Sequence, residues 1–500
     1  MEAILNKRSI RCFSKVYEST INREETAESV VPDTQPDIAE ILDTDGTILL
    51  RSKDVEQGRV GVSGNISTTV LYMPDGGSGV KTLGGVIPFS VYLESPVITE
   101  DTRPVAVVRV CAIEARMLNP RKVLIRADEV VTISCFEGGE LELRDELEEP
   151  ADIQVLLSSN RFSPVTDVRE KTFVINEDYQ MPMTKSAIGE LLKHRAEIII
   201  DDIKIVGNKL IFKGSAQISA IYIGVGDEVV SPLTFSLPFS QIMDMEGISE
   251  DADAQVNAML TGAYVETSPD GRTLTCELHL VAQAVASDIA EFSYIADAYS
   301  NTNELRLDVT LIETTTIERR LTIRETIRDV VETPSPVRET VQLYSVMGVP
   351  EIVGGKVRCQ VTVRVMYRDD TDVLRNISKN FSLESNSEIE PPMEASVTEM
   401  RCVESFASPT SGGLELRVPF DIDLLIIERQ KHNMITSMES DEDAPMNTAN
   451  WPSVTVLMID GEPDIWKLAK KYRSTPELIE AANASEEEHS GELLLIPKAR

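Results

Sequence analysis

The amino-acid sequence predicts a mainly β protein: three tandem antiparallel β-rich domains, each with a short helix, and a small C-terminal βααβ domain. Three observations lead to this prediction. Alternating apolar and polar runs fill most of the first 435 residues, and one pattern recurs 150 residues further along the chain. The last 47 residues instead show helical periodicity between two apolar runs.

The alternating runs predict strands because Pro, Gly, Asn and Asp turns separate them. Three hairpins are expected. The first has arms Val105–Leu118 and Val123–Ile133, the second has arms Gln255–Glu266 and Thr273–Ala284, and the third turns at Ser408–Gly413 and returns through Leu414–Ile427.

The repeat is carried by residues that keep a constant offset. Ile38, Glu40, Leu42, Gly64, Tyr72 and Pro88-Phe-Ser90 recur as Ile188, Glu190, Leu192, Gly214, Tyr222 and Pro238-Phe-Ser240. A fainter third copy has a strand ending at Tyr367 and an Asn380-Phe-Ser382 element. We expect the short helix of each copy at Pro36–Leu42, Ala187–Leu192 and Pro336–Leu343.

Changes in composition predict the boundaries. An acidic run ends at Glu149, and fresh strands begin between residues 300 and 320. We therefore predict β domains at residues 1–150, 151–305 and 306–435, an acidic linker at 436–452, and a terminal domain at 453–500.

The terminal domain is expected to begin with a strand at Val454–Ile459 that is covered on both faces, because the run is apolar nearly throughout. A helix should follow at Ile465–Tyr472, with its core stripe on Ile465, Leu468, Ala469 and Tyr472. Ser474 and Glu477 form a capping-box pattern for a second helix, Asn483 is a left-handed stop, and Leu493–Ile496 is the partner strand.

The overall charge argues against nucleic acid and anionic membranes as partners. The 500 residues include 48 basic and 83 acidic ones, which gives a net charge of −35. We expect no secretory signal and no membrane insertion, because no apolar run approaches the roughly 18–20 residues of a spanning helix. The six cysteines have no C-x-x-C spacing and are interpreted as reduced, buried side chains.

The chain lacks the motifs of common catalytic sites. Its four histidines have no metal-site spacing, and no nucleophile elbow or Walker loop is present. We therefore predict no catalysis, no cofactor and no metal. An enzyme within the β domains stays open as an alternative, and it would need a polar pocket with shifted carboxylates.

The tail resembles a LysM domain, the βααβ module best known for binding N-acetylglucosamine polymers. The resemblance rests on Trp466, Ala469, Tyr472, Leu478, Asn483 and Ile496-Pro497. The loop before the first helix, Gly461–Ile465, is one residue longer and more acidic than is usual in that family.

Three such β domains followed by one LysM domain resemble the SPOCS-domain proteins of spore-forming Firmicutes. This resemblance rests on Gln35–Leu42, Gln180–Leu191 and the strands that end at Tyr72 and Tyr222. The resemblance implies a cytoplasmic mother-cell protein that assembles the spore coat at the forespore surface. It also implies that the LysM domain docks onto the coat-basement ATPase, the stage IV A morphogenetic protein, and that other coat proteins are partners.

We therefore predict a non-catalytic scaffold, with a partner-binding face on the LysM-like domain. The expected site residues are Glu462, Asp464, Ile465, Trp466, Lys470 and Asn483. Trp466 lies one step off the core stripe, so either partial core packing or an exposed anchor for a partner fits its position. The alternative function is a cell-wall protein that binds peptidoglycan or N-acetylglucosamine.

Overall fold

The computed structural model describes residues 3–76, 79–149, 152–226, 229–385, 393–445, 451–459, 461–484 and 493–499. Most of these residues lie in antiparallel strands, and both α-helices within these ranges belong to the C-terminal region. The prediction of a mainly β protein is confirmed.

The first repeat, unit 1, is a sandwich of two antiparallel sheets. Its strands are β1 (Ile4–Val30), β2 (Ile38–Glu56), β3 (Arg59–Pro74), β4 (Lys81–Glu94), β5 (Arg103–Asn119) and β6 (Lys122–Glu149). One sheet has the order β2-β3-β4, and the strands β1-β6-β5 form the facing layer. Aliphatic side chains from both layers fill the core between them.

Unit 2 repeats this arrangement. Its strands are β7 (Ile153–Phe162), β8 (Val165–Gln180), β9 (Ile188–Val206), β10 (Lys209–Gly224), β11 (Val230–Asp244), β12 (Asp253–Thr267), β13 (Thr273–Ser287) and β14 (Ala290–Ser300). The sheet β9-β10-β11 faces β8-β13-β12, while β7 and β14 pair as a separate ribbon.

Unit 3 has the same plan with more interruptions. Its strands are β15 (Asn303–Glu332), β16 (Val337–Met347), β17 (Glu351–Val353), β18 (Lys356–Asp369), β19 (Leu374–Glu384), β20 (Met393–Cys402), β21 (Phe406–Thr410) and β22 (Gly413–Pro445). The three predicted hairpin turns lie between β5 and β6, between β12 and β13, and between β21 and β22.

The predicted acidic linker, 436–452, is partly wrong. Strand β22 continues to Pro445, and Ser437–Ser440 and Pro445 pair with the start of β15. Met434 and Met438 are buried on one face of this strand, whereas Glu439, one of the residues that suggested a linker, is exposed. Residues 446–450 lie outside the described residues. Strand β15 begins at Asn303, inside the predicted second domain (151–305).

The short helix predicted in each β domain is also wrong, because each of these segments opens a strand. Ile38 donates its backbone N–H to the Pro120 carbonyl, and Ile188 donates to Gly271. Buried residues four apart, such as Ile38 and Leu42, fit one strand face as well as one helix face. The β-bulge between Ile41 and Asp43 breaks the alternation that would have distinguished the two.

The sheet register supports the third copy but corrects one of its matches. Gly64 lies opposite Phe89, and a Cβ at Gly64 would come within 2.6 Å of the Phe89 ring. In unit 3 the corresponding pair is Cys359 opposite Leu383. Leu383, rather than the predicted Phe381, therefore takes the place of Phe89, and the smaller partner leaves room for a side chain at Cys359.

The three units are joined in one body by long strands. A six-stranded sheet, β12-β13-β8-β1-β6-β5, crosses from unit 1 to unit 2. The outer ends of β1 and β6, the ribbon β7/β14, and the outer ends of β15 and β22 form a second layer with shared cores. In one of these cores Ala3, Ile295 and Ile435 come from three different units.

The units also meet at a shared apolar cluster, which we call the central junction. Its buried residues are Leu42, Leu71 and Val80 of unit 1, Leu192, Ile221 and Val230 of unit 2, and Val341, Met366 and Leu374 of unit 3. In each unit these are a bulge residue, a residue of the neighbouring strand and a residue at, or one position before, the start of the third strand. The repeats are therefore related by an approximate threefold arrangement.

Charged side chains pair beside the central junction. The Lys193 Nζ lies 2.6 Å from an Asp43 oxygen and 3.1 Å from an Asp45 oxygen, and Arg195 also pairs with Asp45. The Tyr344 hydroxyl donates to Asp43 at 2.7 Å. Burial opposes the charge on Lys193, but the two carboxylates outweigh it and raise the pKa of Lys193.

Replacing Lys193 by Met should lower the free energy of unfolding by about 3–5 kcal/mol, because the buried Asp43 and Asp45 carboxylates would lose the ammonium that they share, and only Asp45 would keep Arg195. Chemical denaturation of the full chain measures this. Lys204→Met, on the exposed end of the same strand, is the matched control and should change stability by less than about 0.5 kcal/mol. An equal effect of the two variants would contradict the role of the ion cluster.

Unit 1 contains a carboxyl group in its apolar core. Glu129 is 1% exposed, on the same face of β6 as Ala127 and Val131, and neither of its oxygens has a hydrogen-bond partner. Burial, with a smaller contribution from Glu25, raises the pKa of Glu129 to about 7. The corresponding strand of unit 2 carries apolar residues throughout this part of its core.

The pKa of Glu129 predicts a loss of stability as the pH rises. Between about pH 4.5 and 7 the unfolded chain has lost this proton while the folded chain keeps it, so raising the pH favours unfolding. Relative to Glu129→Gln, the natural chain should lose about 2–3 kcal/mol over this range. Denaturation at both pH values measures the difference. Asp128→Asn, on the opposite face of β6, should keep the natural dependence.

Candidate functional site

The C-terminal unit, called the tail unit here, has the predicted βααβ order. Its elements are β23 (Val454–Met458), α1 (Ile465–Tyr472), α2 (Pro476–Asn483) and β24 (Leu493–Pro497). The two strands pair antiparallel, with Val454 opposite Pro497. Ala469, Ile479, Leu494 and Ile496 are buried between the helices and the strands, and the predicted stripe of α1 packs against them. The acidic loop of residues 485–492 lies outside the described residues.

Helix α1 has a strong cap at each end. The Asp464 carboxylate accepts a hydrogen bond from the backbone N–H of Lys467 at 3.0 Å, which makes Asp464 the N-cap. Arg473 adopts the left-handed conformation, with φ of 53°, and closes the C-terminal end. The bounds of α1 agree with the prediction because the sequence supplies both caps and the apolar stripe.

In helix α2 the predicted roles of Ser474 and Asn483 are wrong. The N-cap is Thr475, whose hydroxyl accepts from the Leu478 N–H at 3.2 Å, while Ser474 is buried one position earlier. Asn483 is the last helical residue and is not a left-handed stop. Its side chain donates to the Leu495 carbonyl at 2.8 Å and accepts from the Leu495 N–H at 2.9 Å. Asn483 therefore attaches β24 to the end of α2.

Strand β23 is covered on one face only, so the prediction of a strand buried on both faces is wrong. Leu457 and Ile459 pack against the helices, whereas Val454, Val456 and Met458 are exposed, with Met458 79% exposed. The run is apolar on both faces, and the sequence pattern could not show that the side chains of the second face stay exposed.

The tail unit lies against the end of strand β14. The Trp466 Nε1–H donates to an Asp297 oxygen at 2.9 Å, and the Lys470 ammonium lies 2.5 Å from the other oxygen. The Tyr299 ring meets the Trp466 ring edge to face, with 5.0 Å between their centroids. We call this surface the β14 contact.

Backbone groups extend the β14 contact on both sides. The Tyr299 hydroxyl donates to the Ser474 carbonyl at 2.7 Å, and the Arg473 guanidinium donates to the Ser300 carbonyl at 2.7 Å. Burial raises the pKa of Tyr299 well above its ordinary value, so its hydroxyl keeps the proton that it donates.

Lys470 and Trp466 stabilise the ionised form of Asp297. Partial burial opposes the ionised form, but the hydrogen bonds from Lys470 and Trp466 outweigh it, and the pKa of Asp297 falls below its ordinary value. At neutral pH the contact is therefore a charge-assisted pair next to two aromatic rings that meet edge to face.

The six predicted site residues do not form one exposed surface. Trp466 and Lys470 lie together at the β14 contact, while Asp464 and Glu462 are exposed in the loop before α1. Ile465 packs at the edge of the tail core. Asn483 faces β24, where its bonds give it a structural role.

Asp297 and Tyr299, which complete this site, were not predicted, and they lie 169 and 167 residues before Trp466 in the chain. A cationic, Trp-bearing helix in an acidic chain indicates that a carboxylate should lie nearby. It does not indicate which of 83 acidic residues that carboxylate is.

A concavity of about 560 Å³ lies between units 2 and 3. Two of its carboxylates already have partners: Asp253 pairs with Arg320 at 2.6 Å and Asp423 with Arg401 at 2.7 Å. Burial raises the pKa of Glu399, which also lines this groove. Among the described residues, no group of three His, Cys, Asp or Glu side chains is placed to hold a metal ion.

The repeat is matched by a known family. The family model described as SipL, SPOCS domain, matches residues 37–118 and again residues 187–267. The chain carries two SPOCS domains of the SipL type. Their starts are 150 residues apart, and they cover β2–β5 of unit 1 and β9–β12 of unit 2.

The SPOCS match associates the chain with sporulation proteins, as the sequence resemblance implied. The matched segments do not include unit 3 or the tail unit. Comparisons with curated proteins and with solved structures gave no match. Neither α1 nor α2, the helices of the described residues, is long and apolar enough to cross a membrane.

Replacing Asn483 by Ala should destabilise the tail unit by about 1–3 kcal/mol, because the Leu495 backbone groups lose both hydrogen bonds. Thermal unfolding followed by Trp466 fluorescence measures this. The chain carries Trp451→Phe, so that Trp466 is its remaining tryptophan. Glu480→Ala, at an exposed site on the same helix, is the control. Equal melting of the two variants would show that Asn483 does not hold β24.

Proposed function

We propose that this protein is a non-catalytic scaffold of spore envelope assembly. Its three-unit body would bind one layer of the coat machinery, and its LysM-like tail unit would recruit the coat-basement ATPase, the stage IV A morphogenetic protein. The protein would act in the mother-cell cytoplasm, at the forespore surface. The SPOCS match, found twice in the chain, is the observation that carries this proposal.

The architecture supports a scaffold because the body is a single packed object. Its units share the central junction and the cores of the second layer, so partners bound on different units would keep a constant spacing. Such a body can combine several weak contacts into stable attachment.

The tail unit suits the role of a separate binding module. It has its own apolar core and is held to the body by a small number of groups on α1 and on the two residues that follow it. We assign partner binding to the face of α1 that carries Trp466 and Lys470. Glu462 and Asp464 would lie at its rim, with Ile465 and Asn483 supporting it from within.

The alternative function, binding of peptidoglycan or N-acetylglucosamine, keeps one supporting observation. The βααβ order of the tail unit is the order of the glycan-binding module that its sequence resembles. The acidic loop of the tail and its basic helix favour a protein partner over a neutral glycan.

The two tryptophans provide a matched test of the proposed function. Trp466→Ala in the full chain should weaken binding of the purified ATPase by about tenfold or more, because aromatic anchors dominate interface energies. Trp451→Ala, which removes a more exposed tryptophan outside the tail fold, should change affinity less than about twofold. Biolayer interferometry measures both.

Two outcomes would contradict the assignment. Full affinity in a chain that ends at residue 445 would remove the tail unit from recruitment. Pelleting of the tail with purified peptidoglycan, together with no binding of the ATPase, would favour the cell-wall alternative.

A further inference from the structure

The residues assigned to partner binding are already occupied by the chain itself. Trp466 and Lys470 both direct their donors to the Asp297 carboxylate, and Tyr299 covers the Trp466 ring. A partner that used the same donors would have to separate the tail unit from strand β14.

We propose that strand β14 is an internal ligand of the tail unit. Asp297 and Tyr299 occupy the partner face, and they are displaced by a protein segment that offers a carboxylate beside an aromatic ring. This inference rests on the proposed function, because it states how the recruiting face is regulated and which chemistry it recognises.

The donors define the chemistry of the ligand. One indole N–H and one ammonium converge on a single carboxylate, at 2.9 and 2.5 Å, and the flat Trp466 surface beside them takes an aromatic edge. The Arg473 guanidinium adds a donor for the backbone carbonyl of Ser300, which lies three positions after Asp297. An acidic strand with the spacing Asp-x-aromatic, as in Asp297-Ala-Tyr299, satisfies all of these groups.

The strength of the contact suits a reversible device. The Lys470 and Asp297 side chains are 41% and 30% exposed, so water screens the ion pair and its net contribution is small. An external carboxylate can therefore compete with Asp297, because breaking this partly exposed ion pair costs little free energy.

The tail unit does not depend on β14 for most of its core. Ala469, Ile479, Leu494 and Ile496 are buried by elements of the tail unit itself, and Tyr299 is the residue that β14 adds. Release of β14 should uncover Trp466 and leave the βααβ fold intact. The closed state then lowers the apparent affinity for a partner in proportion to the fraction of open chains.

A charge reversal tests this proposal in the full chain. In a Trp451→Phe background, Asp297→Lys places two cations together and should open the contact. Glu291→Lys is the matched control, because Glu291 lies on the same strand in an exposed pair with Arg161, away from the tail. Acrylamide quenching of Trp466 reports opening, and affinity for the purified ATPase reports recruitment.

We expect Asp297→Lys to increase quenching of Trp466 and to bind the ATPase about tenfold more tightly, with Glu291→Lys unchanged in both measurements. Unchanged quenching would overturn the proposal, because β14 would then not cover the face. Increased quenching with unchanged affinity would overturn it as well, while leaving the proposed function intact. Increased quenching with no binding by any variant would refute the proposed function, and the inference with it.

Discussion

Lys193 lies between two aspartates at the point where three β units meet, and this buried pairing determines how the units associate. By register, Asp45, Arg195 and Tyr344 occupy one equivalent position in the three copies. Identical residues at a threefold position would bring like charges together in a setting that water does not screen. The copies carry an acid, a base and a hydroxyl there instead, so each unit has one suitable place relative to the others.

This constraint makes the three repeats one body. The outer ends of the long strands of units 1 and 3 and the ribbon of unit 2 then bury shared apolar clusters in the second layer. Strand β14, which carries Asp297 and Tyr299, is part of that second layer. The site on the tail unit thus depends on a strand whose position is set by packing far from it.

The candidate site was partly predictable from local pattern. The bounds of α1, its apolar stripe and the importance of Trp466 and Lys470 followed from residues within one or two helical turns. The role of Asn483 did not follow, because a helix-ending Asn is compatible with a cap and with a bridge to a neighbouring strand. Glu129 also gave no signal, since an acid between apolar residues is typical of an exposed strand face as well.

The sequence by itself determined the β class, the 150-residue repeat, the hairpin turns and the βααβ order of the tail, because these depend on periodicity and turn chemistry between near neighbours. Tertiary structure decided that Ile38 and Ile188 begin strands, that β22 extends to Pro445, and that Asp297 meets Trp466. Each of these depends on a hydrogen bond or contact between residues far apart in the chain. Such partners leave no local pattern, since any of many similar side chains could supply them.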